Sequence, residues 1–446
     1  MKTLASAAMA AGLIWTGAAA AQGSTVSVAF EGVRSSQGKV VAVLCGDPAG
    51  RFPGACSTYR AAVGAASGET VVTFAGVAPG RYAIQAFHDE NGDGVLQIQT
   101  EGFAFGNNAS WPPSFQAASI QVAADTRAQT TMTYLSGGEP VRRTGSHGAA
   151  PPAGVTRIDV RDKGLYGELY LPAHDKPLPA IILLGGSEGG LDIISGMAVG
   201  FAKLGYATLA LAYWAEEGLP ESLELVPLEY FDSAVDWLKA RPDVDRRAIG
   251  AIGWSRGSEA VLLLGARNHD VRAVVAVSPS GVVWRGLDSA NPAEGQSAWT
   301  AVGRPLAYLT PSAEDYRPNA PMRPIFSKVL SQADSHPEVA IPVERINGPV
   351  LLISGRDDNL WPSTDMADRV IARLKKAKFR HDATHLAYDG AGHAVFVGAP
   401  DGPMAGALRT PNPMLGGSPE ANAKAWTDDW PKVVAFYDKA LKEGTR

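Results

Sequence analysis

The spacing of hydrophobic and polar positions changes once along the chain, near residue 155. Upstream of that point apolar residues alternate with polar ones in short runs at 25–30, 39–44, 70–74, 82–87, 118–122 and 128–134. Such period-two runs, rich in β-branched residues and broken by Gly32, Gly38, Pro79-Gly80 and Gly92, predict half-buried strands and a small all-β sandwich over residues 22–135. Residues 136–154 carry Gly, Pro, Ser, Ala and Arg with no period, which is the composition of a linker. Downstream the runs become continuously apolar, at 180–184, 206–211, 248–252, 271–277 and 350–353, as in strands buried on both faces. Between them 230–238, 259–264 and 365–374 place apolar residues at helical spacing. This alternation predicts an α/β domain with a mostly parallel sheet over residues 155–446.

One stretch fits neither pattern. Residues 285–347, approximately, lie between two sheet strands and are too long for a plain connection, so a lid insertion is expected there. Its aromatics, Trp299, Tyr308 and Tyr316, with the preceding Trp284, can line an acyl pocket or form the lid's own small core.

The first residues read as a leader: Lys2, then an Ala-rich apolar stretch through Leu13-Ile14-Trp15, then Ala19-Ala20-Ala21. That order of charge, apolar run and small residues is a secretory signal, expected to be removed as residues 1–21. The apolar run is shorter than the roughly 20 residues a membrane span requires, and no other segment approaches that length. The product is expected in the periplasm or outside the cell. Cys45 and Cys56, the two cysteines, flank a Gly/Pro-rich loop, and in an oxidising compartment they are expected to form a disulfide worth roughly 3 kcal/mol by chain entropy.

Composition narrows the classes further. Hydrophobic residues make up 46% and charged residues 19%, which excludes a mainly disordered chain. The formal charge is −5 and no Lys/Arg run exceeds two residues, so neither nucleic acid nor an anionic membrane is an expected partner.

Gly-x-Ser-x-Gly occurs twice, at Gly185-Gly186-Ser187-Glu188-Gly189 and at Gly253-Trp254-Ser255-Arg256-Gly257. A nucleophile elbow requires a strand running in and a helix leaving at once, because the sharp turn lifts the hydroxyl above the sheet edge. Ser255 meets both conditions. Ser187 sits in a Gly-rich loop after an earlier strand, where an oxyanion-hole amide belongs, so backbone donors are expected from Gly186 or Ser187 and from Arg256. A serine hydroxyl needs a base held by an acid, in the chain order Ser, Asp, His. Asp358 follows an apolar strand in Ser354-Gly355-Arg356-Asp357-Asp358, and His393 follows the late Gly-rich turn Gly390-Ala391-Gly392. Each of the other seven histidines precedes the α/β domain, precedes the acid, or falls on the strand before the final turn, as His381 and His385 do.

These pieces, with Val283-Trp284 and Trp361-Pro362-Ser363, resemble the α/β-hydrolase domain of the acyl-CoA thioesterase and bile-acid-CoA:amino-acid N-acyltransferase family. The resemblance implies an α/β-hydrolase fold with the catalytic acid at Asp358 rather than Asp357. It also implies hydrolysis, since the family's amino-acid transferases carry Cys where Ser255 stands here. Cytosolic acyl-CoA is out of reach of an exported enzyme, so what carries over is the bond type, an ester or thioester of an acyl group. A different domain is expected in place of the family's usual N-terminal one: residues 24–135 resemble an uncharacterised family of exported sandwich domains, marked by Phe87-His88-Asp89-Glu90-Asn91-Gly92-Asp93-Gly94 and Pro113-Ser114-Phe115.

Within that motif Asp89, Asn91 and Asp93 alternate before Gly94 as the first ligands of a calcium loop do. The loop's twelfth position is Thr100, with Glu101 one step late, and a polar turn capped by Asp and Asn explains the same residues. No cofactor is required by the serine chemistry. An acyltransferase or serine peptidase of the same fold, or a surface binding protein whose functional part is the sandwich, are the rival readings.

Overall fold

The computed structural model describes residues 23–46, 52, 58–92, 94, 96, 101–109, 115–134, 151–220, 222–287, 295–312, 321–400, 412 and 414–443. The expected leader, the Cys56 end of the cysteine loop, Asp93, most of the linker and Tyr316 lie outside them.

The first domain holds β1 (Ser24–Val33), β2 (Lys39–Cys45), β3 (Tyr59–Gly64), β4 (Gly68–Val77), β5 (Gly80–Asp89), β6 (Gly102–Phe105), β7 (Ser119–Val122), β8 (Thr126–Thr131) and β9 (Thr133–Tyr134). They form two sheets, one ordered β4-β1-β8 and one ordered β3-β2-β5-β6-β9 with β7 on the free stretch of β5. Val26, Val28 and Phe30 of β1 and Phe74 of β4 face Val40, Leu44 and Ile84 of the other sheet in one core, which makes the domain a sandwich. β3 and β6 are additions to the expected strands. β3 has no fully buried residue, only Tyr59 and Ala61 packing half-buried against the core, and the four residues of β6 are all buried and too few to show a period. β1 and β8 run parallel, pairing Val26 with Thr126 through Glu31 with Thr131.

The second domain begins with β10 (Val155–Val160), β11 (Tyr166–Pro172), β12 (Leu178–Leu184), α1 (Asp192–Ala202) and β13 (Ala207–Ala212). Then come β14 (Val226–Pro227), α2 (Leu228–Lys239), β15 (Val244–Trp254), α3 (Arg256–Arg267) and β16 (Val271–Val277). The insertion contributes β17 (Trp299–Ala301), β18 (Arg304–Pro305) and α4 (Arg323–Leu330), after which β19 (Val350–Gly355), α5 (Ser363–Lys376), β20 (Ala383–Tyr388) and a last helix (Pro419–Tyr437) complete the fold. The main sheet is ordered β10-β11-β13-β12-β15-β16-β19-β20; β11 is antiparallel to both neighbours and the six strands from β13 to β20 are parallel.

The continuous apolar runs are explained by the two faces of this sheet. On β12, Ile182 and Leu184 enter the core formed with α2, α3 and α5, whereas Ile181 and Leu183 enter the core formed with α1 and the last helix. The architecture is the α/β-hydrolase fold. Trp284, just before the insertion, packs with Val282, Leu309 and Val329 and with Trp361 and Met366 from beyond β19 in a small separate core, and Trp299 joins the main core against Tyr213 and Phe231. Both indoles are buried and packed into these cores, as in the second of the two expected roles.

Candidate active site

The strand-to-helix corner at Ser255 is built by steric necessity. β15 ends at Trp254, α3 starts at Arg256, and Ser255 between them has φ 56° and ψ −118°, a conformation that a side-chain-bearing residue occupies only under strain. The strain is held by packing on both sides. A methyl group on Gly253 would lie 2.0 Å from the Gly257 carbonyl oxygen, and one on Gly257 would lie 2.2 Å from the Gly185 carbonyl oxygen. The Ser255 amide donates to the Val277 carbonyl at 2.9 Å, and the Ser258 amide and hydroxyl both donate to the Ser255 carbonyl.

Asp358 and His393 come together beside this corner from the ends of two later strands. His393 Nδ1 and Asp358 Oδ2 are 2.9 Å apart and both residues are 1% exposed. The same carboxylate accepts the amides of Leu360 (2.9 Å) and Trp361 (3.2 Å) and the Ser363 hydroxyl (2.6 Å). A carboxylate with four donors is held as an acceptor, so the proton shared with His393 sits on Nδ1 and the lone pair on Nε2. Nε2 is buried and has no partner among the described residues. The His393 carbonyl is fixed by Ser278 Oγ at 2.6 Å and Trp254 Nε1 at 3.1 Å, and the Trp254 and Trp361 rings flank the imidazole at 5.6 and 5.9 Å. Asp357, by contrast, is exposed.

The loop after β12 approaches Ser255 closely: a methyl group on Gly186 would lie 3.0 Å from Ser255 Cβ. The expectation that the Gly186 amide is a free donor is corrected here. That N–H donates to Glu188 Oε1 at 2.7 Å, because Glu188 folds back over two residues without Cβ atoms. A side chain on Gly185 or Gly186 would meet the Glu188 carboxylate at 2.5 or 2.9 Å. The amides of Ser187 and Arg256, the other two expected donors, have no acceptor among the described residues. Tyr213 and Trp214 pin the loop from behind by donating to the Gly185 carbonyl (2.7 Å) and the Gly186 carbonyl (3.3 Å).

A buried ion pair beside the elbow was not foreseen. Arg256 Nη1 lies 3.0 Å from Glu259 Oε2, Arg256 Nη2 donates to the Arg285 carbonyl at 2.9 Å, and Glu259 Oε1 accepts the Trp284 amide (3.0 Å) and Trp299 Nε1 (2.6 Å). Burial pushes the Glu259 carboxyl up against the downward pull of Arg256. The i,i+3 spacing of opposite charges after the elbow was the available signal, and it is common on solvated helix faces.

In the sandwich, Asp89 Oδ2 accepts the Gly94 amide at 3.1 Å, and Glu101, one step late in the sequence, turns back to accept the amides of Glu90 (3.1 Å) and Asn91 (3.4 Å). Among the described residues no three acid, histidine or cysteine side chains gather as a ligand set.

Over 306 residues the chain is 31% identical to acyl-coenzyme A thioesterase 1 of Mus musculus, covering 66% of this chain and 67% of that protein. This chain belongs to the acyl-CoA thioester hydrolase and bile-acid-CoA:amino-acid N-acyltransferase family. The family described as "BAAT / Acyl-CoA thioester hydrolase C terminal" matches residues 226–443, which hold Ser255, Asp358 and His393. Within the family the chain is also 29% identical over 320 residues to the peroxisomal succinyl-coenzyme A thioesterase of Mus musculus, covering 68% of this chain and 70% of that one. To the bile acid-CoA:amino acid N-acyltransferase of Mus musculus it is 31% identical over 293 residues, covering 65% of this chain and 66% of that one. The chain thus spans about two thirds of the length of these relatives. Residues 28–130 match a separate family described as an uncharacterised protein conserved in bacteria. The second domain is that of a hydrolase enzyme.

Proposed function

We propose that the chain hydrolyses esters or thioesters of acyl groups through an acyl-enzyme formed on Ser255. His393 Nε2 takes the serine proton and returns it to the leaving group, Asp358 holds the ring and stabilises the imidazolium, and the amides of Ser187 and Arg256 receive the oxyanion. The observation that carries this reading is the pairing at His393: Nδ1 bonded to a fully accepting carboxylate, Nε2 buried and without a partner among the described residues. The strained corner at Ser255 and the relatives named as thioesterases support it. Water as the acyl acceptor is favoured over an amine by the serine at the elbow.

Export, with a Cys45–Cys56 disulfide, belongs to the same proposal and rests on the leader and on the two cysteines flanking a short Gly/Pro-rich loop. Labelling with a fluorophosphonate probe tests the chemistry. Ser255 is expected to react and Ser255→Ala to lose both the label and turnover of nitrophenyl esters and thioesters. A wild-type protein that labels elsewhere, or not at all, rejects the proposal.

A further inference from the structure

A second set of serine, histidine and aspartate stands in line within the same domain. Asp368 Oδ1 of α5 is 3.0 Å from His385 Nδ1 on β20, and His385 Nε2 is 2.7 Å from Ser354 Oγ at the end of β19. Ser354 Oγ is in turn 2.8 Å from Thr364 Oγ1, which donates to the Gly355 carbonyl at 3.1 Å. By spacing alone these residues imitate a nucleophile, base and acid.

The protons run the other way. A carbonyl oxygen only accepts, so the single Thr364 hydroxyl proton goes to Gly355 and Thr364 Oγ1 must accept from Ser354. Ser354, having given its proton to Thr364, must accept from His385 Nε2–H. In a reactive pair the serine donates to the histidine lone pair, so Ser354 faces a base that has no lone pair to offer it. Ser354 is also 0% exposed. The inner chain from His385 to Gly355 needs only a proton on Nε2, which the neutral ring can carry, while the contact to the exposed Asp368 becomes a hydrogen bond only when Nδ1 is protonated as well. Burial pulls the His385 imidazole below the usual histidine range, against the upward pull of Asp368, and Arg356 adds to the lowering.

What the chain of hydroxyls holds is the first turn of α5. Thr364 is tied to β19 and β20 by this relay, and its neighbour Ser363 donates to Asp358 Oδ2. We propose that His385, Ser354 and Thr364 are positioning residues for the active site: a reverse-polarised relay that fixes the start of α5 and, through Ser363, the carboxylate that orients His393. The inference rests on the reading of Ser255, His393 and Asp358 as the reacting set.

The test compares Ser354→Ala, His385→Leu and Thr364→Val with Thr364→Ser, which keeps the hydroxyl. Sites are counted by fluorophosphonate labelling of Ser255, so that any fraction of unfolded protein drops out of the rate. We expect kcat per labelled site to fall about tenfold with KM on a small nitrophenyl ester nearly unchanged, a smaller loss than the roughly hundredfold given by a 1 Å misplacement. Thr364→Ser should keep the wild-type rate. The Leu360 and Trp361 amides, which donate to Asp358, should exchange their hydrogens faster in Ser354→Ala than in wild type. If the three variants lower the melting temperature but keep kcat per labelled site, the relay is structural only and the inference is wrong. If the probe labels Ser354 once Ser255 is removed, the relay is chemical and the proton accounting is wrong. Turnover by Ser255→Ala at the wild-type rate would instead reject the proposed hydrolytic site, and that result is read before the relay variants are made.

Discussion

At the scale of single residues, the strongest constraint is at two glycines. Gly253 and Gly257 flank Ser255 with carbonyl oxygens where a methyl group would have to go, so Gly253→Ala or Gly257→Ala is expected to yield little soluble protein, and to lack the Ser255 label in whatever remains. Ser255→Ala has no such steric consequence, and it should lower kcat about a millionfold with the melting temperature preserved. Asp358→Asn should cost far more activity than Asp357→Asn, because one is buried under four donors and the other is exposed. Equal losses in the two variants would move the acid. The triad candidates were legible from order and context alone, since a strand before and a helix after mark an elbow whatever the side chains do. The Glu188 contact to Gly186 was not legible: it depends on one side chain folding back over its own loop, which no spacing announces.

At the scale of elements, the pair Arg256–Glu259 couples α3 to the insertion. Its two charges are buried together and hold the Trp284 amide, the Arg285 carbonyl and the Trp299 indole. Glu259→Leu leaves the arginine unpaired and is expected to destabilise the domain by about 3–5 kcal/mol, whereas Arg256→Met with Glu259→Leu should recover most of that loss in chemical denaturation. A double variant no more stable than the single one would show that the pair is not the coupling element. The last helix carries a different liability. Among the described residues neither oxygen of the buried Asp429 meets a hydrogen-bonding partner at full geometry, and burial, helped by Asp428, pushes its carboxyl up to about 9 against the pull of the Trp430 amide. The folded state therefore holds a proton that the unfolded chain releases near pH 4, so stability is full below that value and falls as pH rises toward 9. Asp429→Asn should flatten this slope and raise the melting temperature at pH 8; calorimetry across the range decides. Strands on the sheet interior were readable because both faces are apolar, and β16 was found at its full length. The edge strand β10 was not, because it mixes exposed and half-buried positions without a clean period, and the interior strand β11 was not, because its buried run includes Gly167 and Glu168.

At the scale of the whole molecule, two folds with separate cores share one chain, and each matches a different family. The residues of the proposed chemistry all lie in the second, so a protein starting near Gly154 should fold and keep turnover on a small soluble ester. Loss of that turnover in soluble truncated protein would mean that the sandwich completes the site. The change of period near residue 155 falls between the two family matches, and the sandwich's pairing order was hidden because a strand's partner is chosen by the fold rather than by its own residues.

That pairing order has a mechanical side. The first and last long strands of the sandwich, β1 and β8, lie next to each other and run the same way. A tension applied to the two ends of the domain pulls β1 backward and β8 forward along their common axis. Every rung between Val26–Thr126 and Glu31–Thr131 is then loaded in shear at once, instead of opening one after another like a zip. Under load the sandwich should behave as a clasp that yields abruptly at high force, whatever its thermal stability.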